Sequence, residues 1–268
     1  MGEATIEALQ TLKRPRVAVF ELASCAGCQL QILNCEDELV DLLQLVEFAY
    51  FKEAMTDTSD VYDLALIEGS VTRAADEEKL RTIRERAKLV GTLGACAFPV
   101  GIPGLKNTHD LDEIARHVYG DDAGYFPSIE AKPVDAVIPV DLHIPGCPIH
   151  KDEFLRVVTG VLLGLKPPIP GYPVCVECRL KENVCAYDRG LVCLGPVTRA
   201  GCGAICPSYG SRCFGCRGLA DDPNVPSTEN LLEEHGYSRD DIVAEYALYN
   251  GYYALHDGGL KGKVAAHE

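Results

Sequence analysis

Apolar runs of five to seven residues recur through the first 165 positions, separated by stretches in which apolar residues fall at helical spacing. The runs at 16–22 (RVAVFEL), 46–51, 62–67, 89–93 and 134–140 predict five buried strands. Between them the spacing predicts a helix over about 29–45, with Ile32, Leu39, Leu42 and Leu43 on one side. A charged helix follows over 76–88, opened by acidic residues that suit the positive end of a helix dipole. Two more helices are expected, over 111–118 and over 152–165, the second lined by Phe154, Val157, Val158, Val161, Leu162 and Leu165. Strand and helix alternating in this way imply parallel strands, right-handed crossovers and helices on both faces of one sheet.

That is an α/β, doubly wound parallel sheet similar to flavodoxin, and the pattern assigns it residues 1–165. The run KPPIPGYP at 166–173 holds four prolines, which cannot continue a helix and mark a linker. From Cys175 to Cys216 no convincing periodicity appears, so 166–218 reads as a small irregular module. The remaining 219–268 form an acidic tail with two amphipathic helices, 228–235 and 239–249, the latter carrying Ile242, Tyr246 and Tyr249 on one face.

Forty acidic residues against twenty-five basic ones give a net charge of −15, which repels polyanions and argues against nucleic acid as a partner. The sequence has no apolar run of the roughly 20 residues a bilayer requires. Its first sixteen residues lack the apolar core of a secretory signal, and Ile6 spoils a myristoylation pattern after Gly2. A cytoplasmic location is expected.

Thirteen cysteines change this picture. In a reducing compartment, metal ligation accounts for so many thiols better than disulfides do. Cys25 and Cys28 follow the first expected strand, Cys96 the fourth and Cys147 the fifth. The carboxyl ends of parallel strands share one edge of the sheet, so these four thiols should converge there although 122 residues separate the first from the last. Gly27, Gly94 and Gly146 beside them let backbone N–H groups approach sulfur. One C-x2-C pair with two single cysteines on distant loops favours a 4Fe-4S cubane over a structural zinc, which usually draws on two close pairs. Cys35, three residues after Ile32 and four before Leu39, falls on an apolar helix face and reads as packing.

The other eight cysteines, Cys175, Cys178, Cys185, Cys193, Cys202, Cys206, Cys213 and Cys216, lie within 42 residues. They make two sets of four with none left over. The large apolar side chains there are too few to offset the entropy of ordering the segment, so metal bonds are expected to supply the rest. Cys206-Pro207 matches the C-P ending of ferredoxin runs, though the order of spacings differs. A zinc ribbon on Cys175, Cys178, Cys213 and Cys216 would strand four thiols. Spacing leaves open which four share a cluster.

Taken together, SCAGCQLQILNCED (24–37), LIEGSV (66–71), GACA (94–97), IPGCP (144–148) and the module ending CFGCRG (213–218) resemble the small subunit of nickel-iron hydrogenases, in particular the cytoplasmic NAD(P)-linked sulfhydrogenase type. The resemblance implies a flavodoxin-like domain whose Cys25, Cys28, Cys96 and Cys147 hold a proximal 4Fe-4S cluster against the nickel-iron centre of a large subunit. It implies medial and distal 4Fe-4S clusters on the later eight cysteines, leading toward a diaphorase subunit that binds FAD and NAD(P) and a further iron-sulfur subunit. Glu68 would lie near the proximal cluster and the large-subunit interface; as a residue alone it reads equally as a solvated strand-end acid. The sequence lacks a twin-arginine leader, the His-containing distal pattern of periplasmic members and the adjacent Cys-Cys of the complex I relative.

The nickel motifs of a large subunit are absent, and no G-x-G-x-x-G follows a strand. No catalytic residue is therefore expected in this chain, which should conduct electrons for partners. Two other readings stay open: service to coenzyme F420 or heterodisulfide reductase, and a zinc-stabilised assembly scaffold.

Overall fold

The computed structural model describes residues 14–256. The expectations for residues 1–13 and for 257–268 of the tail lie outside the described residues.

Five parallel strands form one sheet in the order β2-β1-β3-β4-β5: β1 Arg16–Glu21, β2 Glu47–Phe51, β3 Leu64–Glu68, β4 Leu89–Leu93 and β5 Leu142–Ile144. Successive side chains of a strand point to opposite faces, and both faces here are covered. Val17 and Val19 share one core with Leu64, Leu66, Leu93 and Ile144, while Ala18 and Phe20 share the other with Ala65, Ile67 and Val90. The first core is closed by helices α1 (Gly27–Leu33), α2 (Asp37–Leu45) and, later in the chain, a helix at Lys151–Leu162; the second is closed by α3 (Ala74–Arg86). Two-sided burial is why these strands read as unbroken apolar runs.

Two expectations are corrected. The helix foreseen over 29–45 is two helices. Cys35 N and Glu36 N bond back to Ile32 O and Leu33 O at 3.2 and 3.3 Å, and Glu36 takes a left-handed φ of 47°, so the chain turns and Cys35 enters the core fully buried. The fifth strand is not 134–140. Val134–Ala136 is a turn of 3-10 helix whose Val134, with Ile138, fills the core beneath α3, and Pro139 has no N–H to give a ladder. The strand begins only after Asp141, whose carboxylate accepts from Val90 N at 2.7 Å and Arg84 at 2.6 Å and anchors its start against β4.

A single turn, α4 (Gly94–Ala97), follows β4; a 3-10 segment covers Ile102–Thr108, α5 spans Leu111–Tyr119, and α6 is the helix at Lys151–Leu162. The cysteine-rich stretch is mostly loop, with short helices α7 (Val174–Leu180) and α8 (Ile205–Ser208). The tail helices are α9 (Val225–Glu234), capped by Asn224 accepting from Ser227 N at 3.0 Å, and α10 (Arg239–His256), which breaks at Asn250. Val225, Leu232, Ile242 and Tyr246 of these helices form a small core with Val192, Leu194 and Val197 of the cysteine-rich stretch. Among the described residues no helix is long and apolar enough to cross a membrane.

Candidate metal centres

The carboxyl ends of β1, β4 and β5 open onto one edge of the sheet, and the loops there carry the first four thiols. Cys25 and Cys28 flank the start of α1, Cys96 lies in α4, and Cys147 comes three residues after β5. The loops are sewn together: Ala95 N donates to Gly146 O at 2.7 Å, and the Ser70 hydroxyl, from the E-G-S turn after β3, donates to Cys96 O at 2.7 Å. Gly94, at φ +75°, brings backbone so close that an added Cβ would overlap Cys28 Sγ. Cys96 lies in the field of Cys147, Cys25 and Glu68, and Cys28 in that of Glu68 and Cys96. Burial first, then these neighbours, pushes the Cys96 thiol up to about 12 and raises Cys28 as well.

Glu68 is not a solvated acid. It is 1% exposed, and its carboxylate accepts the N–H groups of Cys28 at 3.0 Å and Gln29 at 3.3 Å, the free donors of the first turn of α1. The positive end of that helix is thereby occupied by a protein anion beside the thiols.

The later eight cysteines sort by neighbourhood. Cys175 lies in the field of Cys193, Cys178 and Cys185, and an added Cβ on Gly195 would meet the sulfurs of Cys175 and Cys193 at 3.3 and 3.4 Å. Burial followed by those thiols pushes Cys175 up to about 11. Cys216 lies in the field of Cys202, Cys147 and Cys206, and burial with these raises it to about 12. Cys213 lies in the field of Cys193 and Cys216 and so links the groups, its N–H donating to Cys193 Sγ at 3.3 Å. Cys147 therefore faces Cys216 across a cavity of about 610 Å³ also lined by Cys202, Cys206, Cys213 and Tyr249.

Among the described residues no three Cys, His or carboxylate side chains stand close enough to hold a single metal ion. Thiols gathered with glycine backbone against their sulfurs fit the donor set of an all-sulfur iron cluster.

Sequence reasoning missed Arg217 and Glu153. Both are fully buried, and they pair in a fork: Nη2 to Oε1 at 2.7 Å and Nη1 to Oε2 at 2.8 Å. Arg217 also donates to Pro145 O at 2.7 Å and through Nε to Ala200 O at 2.9 Å. It thus joins Cys216, its neighbour in sequence, to the loop before Cys147 and to α6. The signal in the sequence was Glu153 itself, four residues before Val157 and so on the apolar face of α6.

The family described as NADH ubiquinone oxidoreductase, 20 Kd subunit, matches residues 25–161. The chain is 41% identical over 221 residues to sulfhydrogenase 2 subunit delta of Pyrococcus furiosus, covering 82% of this chain and 92% of the relative. It is 34% identical to a vhu subunit of the F420-non-reducing hydrogenase of Methanococcus voltae, over 88% of this chain and 94% of that one. A chain of the solved NAD+-reducing [NiFe]-hydrogenase in its H2-reduced state superposes with a TM-score of 0.53 at 29% identity, covering 59% of this chain and 96% of that one.

Proposed function

Since the chain belongs to the family of the NADH ubiquinone oxidoreductase 20 Kd subunit and is a small, electron-transferring hydrogenase subunit, we propose that it relays electrons through three 4Fe-4S clusters between the nickel-iron centre of a large subunit and an NAD(P)-reducing flavoprotein. Cys25, Cys28, Cys96 and Cys147 would hold the proximal cluster. Cys202, Cys206, Cys213 and Cys216 would hold the medial one, and Cys175, Cys178, Cys185 and Cys193 the distal one. On this reading the 1–165 unit presents the first cluster and 166–218 the other two, and of the 219–268 tail the described helices α9 and α10 pack on the latter.

The observation that carries the proposal is the placement of Cys147 opposite Cys216, which sets the sheet-edge thiols beside the second group and the second beside the third. A 4Fe-4S cluster, when bound, takes and releases single electrons, so three in series couple the two-electron reactions of partner subunits. The chain's own contribution is positional and electrostatic. Gly94 and Gly195 keep backbone against sulfur, Ser70 holds the Cys96 loop, and Glu68 places a buried negative charge next to the first set. Bond chemistry on hydrogen and on the nicotinamide belongs to partners.

Metal analysis of this chain, purified anaerobically and separated from partner subunits, tests this. About twelve irons per copy of this chain, four per cubane, is the expected result. An iron-free chain loaded with zinc would overturn it in favour of an assembly scaffold. The solved NAD+-reducing relative supports a nicotinamide-linked partner; co-purification with a subunit that binds FAD and NAD(P), rather than one serving F420 or heterodisulfide reductase, is expected.

A further inference from the structure

Tyr249 belongs to the tail, outside the stretch that matches the family and outside every cysteine motif. It is the last residue of α10 before the helix leaves regular angles at Asn250, which is itself 4% exposed and followed by Gly251. The carbonyl of Tyr249 accepts the N–H of Gly101 at 3.2 Å, so its backbone is pinned to the segment that follows Cys96. From there its half-buried ring reaches into the cavity of about 610 Å³ lined by Cys147 and by Cys202, Cys206, Cys213 and Cys216. Its hydroxyl has Cys147 as its first side-chain neighbour on that cavity, followed by the charged neighbours Cys216 and Cys206.

A phenol, with an ordinary pKa of about 10, is a donor at neutral pH. A hydrogen bond into a thiolate draws negative charge off the sulfur, which favours the more negative, reduced state of whatever that sulfur ligates. Two more tyrosine rings of the region show what is particular here. Tyr246, one turn earlier, is buried in the tail's apolar core with its hydroxyl unpartnered, and Tyr187 spends its hydroxyl on the carbonyl of Cys193. Neither hydroxyl is directed at a sulfur.

We propose that Tyr249 is a positioning residue for electron transfer: its hydroxyl donates to the Cys147 thiolate and raises the reduction potential of the cluster held by the first set, while its ring fills the space between the first set and the second. The inference rests on the reading of Cys147 as a ligand. It makes the acidic tail part of the redox apparatus, because the residue that sets one potential is delivered by α10.

An EPR-monitored redox titration of the full-length, cluster-loaded complex tests it, with Tyr249→Phe, Tyr246→Phe and Cys147→Ser beside the unaltered protein. The wave that changes in Cys147→Ser identifies the first set. Tyr249→Phe is expected to keep its iron and to move that wave alone to more negative potential, with Tyr246→Phe superposing on the unaltered protein. An unmoved wave, an equal shift of all waves, the same shift in Tyr246→Phe, or loss of iron from Tyr249→Phe would each overturn the inference. Absence of iron from the unaltered protein would instead overturn the ligand assignment on which it stands.

Discussion

Replacing Arg217 by Met keeps the aliphatic stem and removes the guanidinium from a site where both partners are essentially inaccessible, with side-chain exposures of 1% and 0%. The carboxylate of Glu153 then has no counter-charge, and the carbonyls of Pro145 and Ala200 lose their donor. Breaking a buried pair from one side costs about 3–5 kcal/mol, because a buried charge is left uncompensated. For a chain of this size that lowers the melting temperature by roughly 6–20 °C. Removing both charges, in Glu153→Leu with Arg217→Met, takes away the uncompensated anion and leaves only unpaired carbonyls at about 1–3 kcal/mol each. The double variant is therefore expected to be more stable than Arg217→Met alone. Thermal and guanidinium unfolding of the cluster-loaded protein, followed by visible absorption and by circular dichroism, reads this directly. A loss below about 1 kcal/mol in Arg217→Met, or a double variant whose loss is the sum of the two singles, would refute the argument that this pair is a coupled, desolvated clamp.

Glu68→Gln removes a buried negative charge beside the first set, and the corresponding cluster should titrate at a more positive potential in an EPR-monitored redox titration, the opposite sign to Tyr249→Phe. Gly94→Ala combines a left-handed φ of +75° with overlap of Cys28 Sγ, so iron analysis should show loss of one cluster's share, about four atoms, while the other two sets stay loaded. The Asp63 carboxyl is held below the usual carboxylate range by the Arg16 N–H and then by Lys88. A depressed pKa contributes stability that is complete above the unfolded value of about 4 and is lost as pH falls through the folded one. Asp63→Asn should flatten the acid limb of a urea-midpoint profile between pH 3 and 7 by no more than about 1 kcal/mol, since this pair is solvent-screened.

The sheet was legible because each strand is buried on both faces, so apolar runs at β1 to β4 had no competing explanation. The fifth was misplaced because V-D-A-V-I-P-V is as apolar as a strand, and only Pro139 hinted that its hydrogen bonds could not enter a ladder. The break at Cys35 was hidden for a similar reason: N-C-E-D interrupts a helical pattern whose apolar residues continue on the same side. The four sheet-edge cysteines could be gathered from sequence, since parallel strands force their loops to one edge. The sorting of the other eight could not, because no regular element fixes where they lie. Glu153 stood on an apolar helix face, but Arg217 looked like an ordinary surface charge, and nothing in a single sequence says that two charges 64 residues apart share one dry site.

Exposure is distributed unevenly over the thiols. Cys25 and Cys147 of the first set and Cys185 of the third are exposed, whereas Cys202, Cys206 and Cys216 are half-buried and Cys213 is buried. On the proposed grouping the middle set is the most thickly covered of the three, and cover thins toward the first set and the third. A stray oxidant coming from solvent would meet the least cover at Cys25, Cys147 and Cys185.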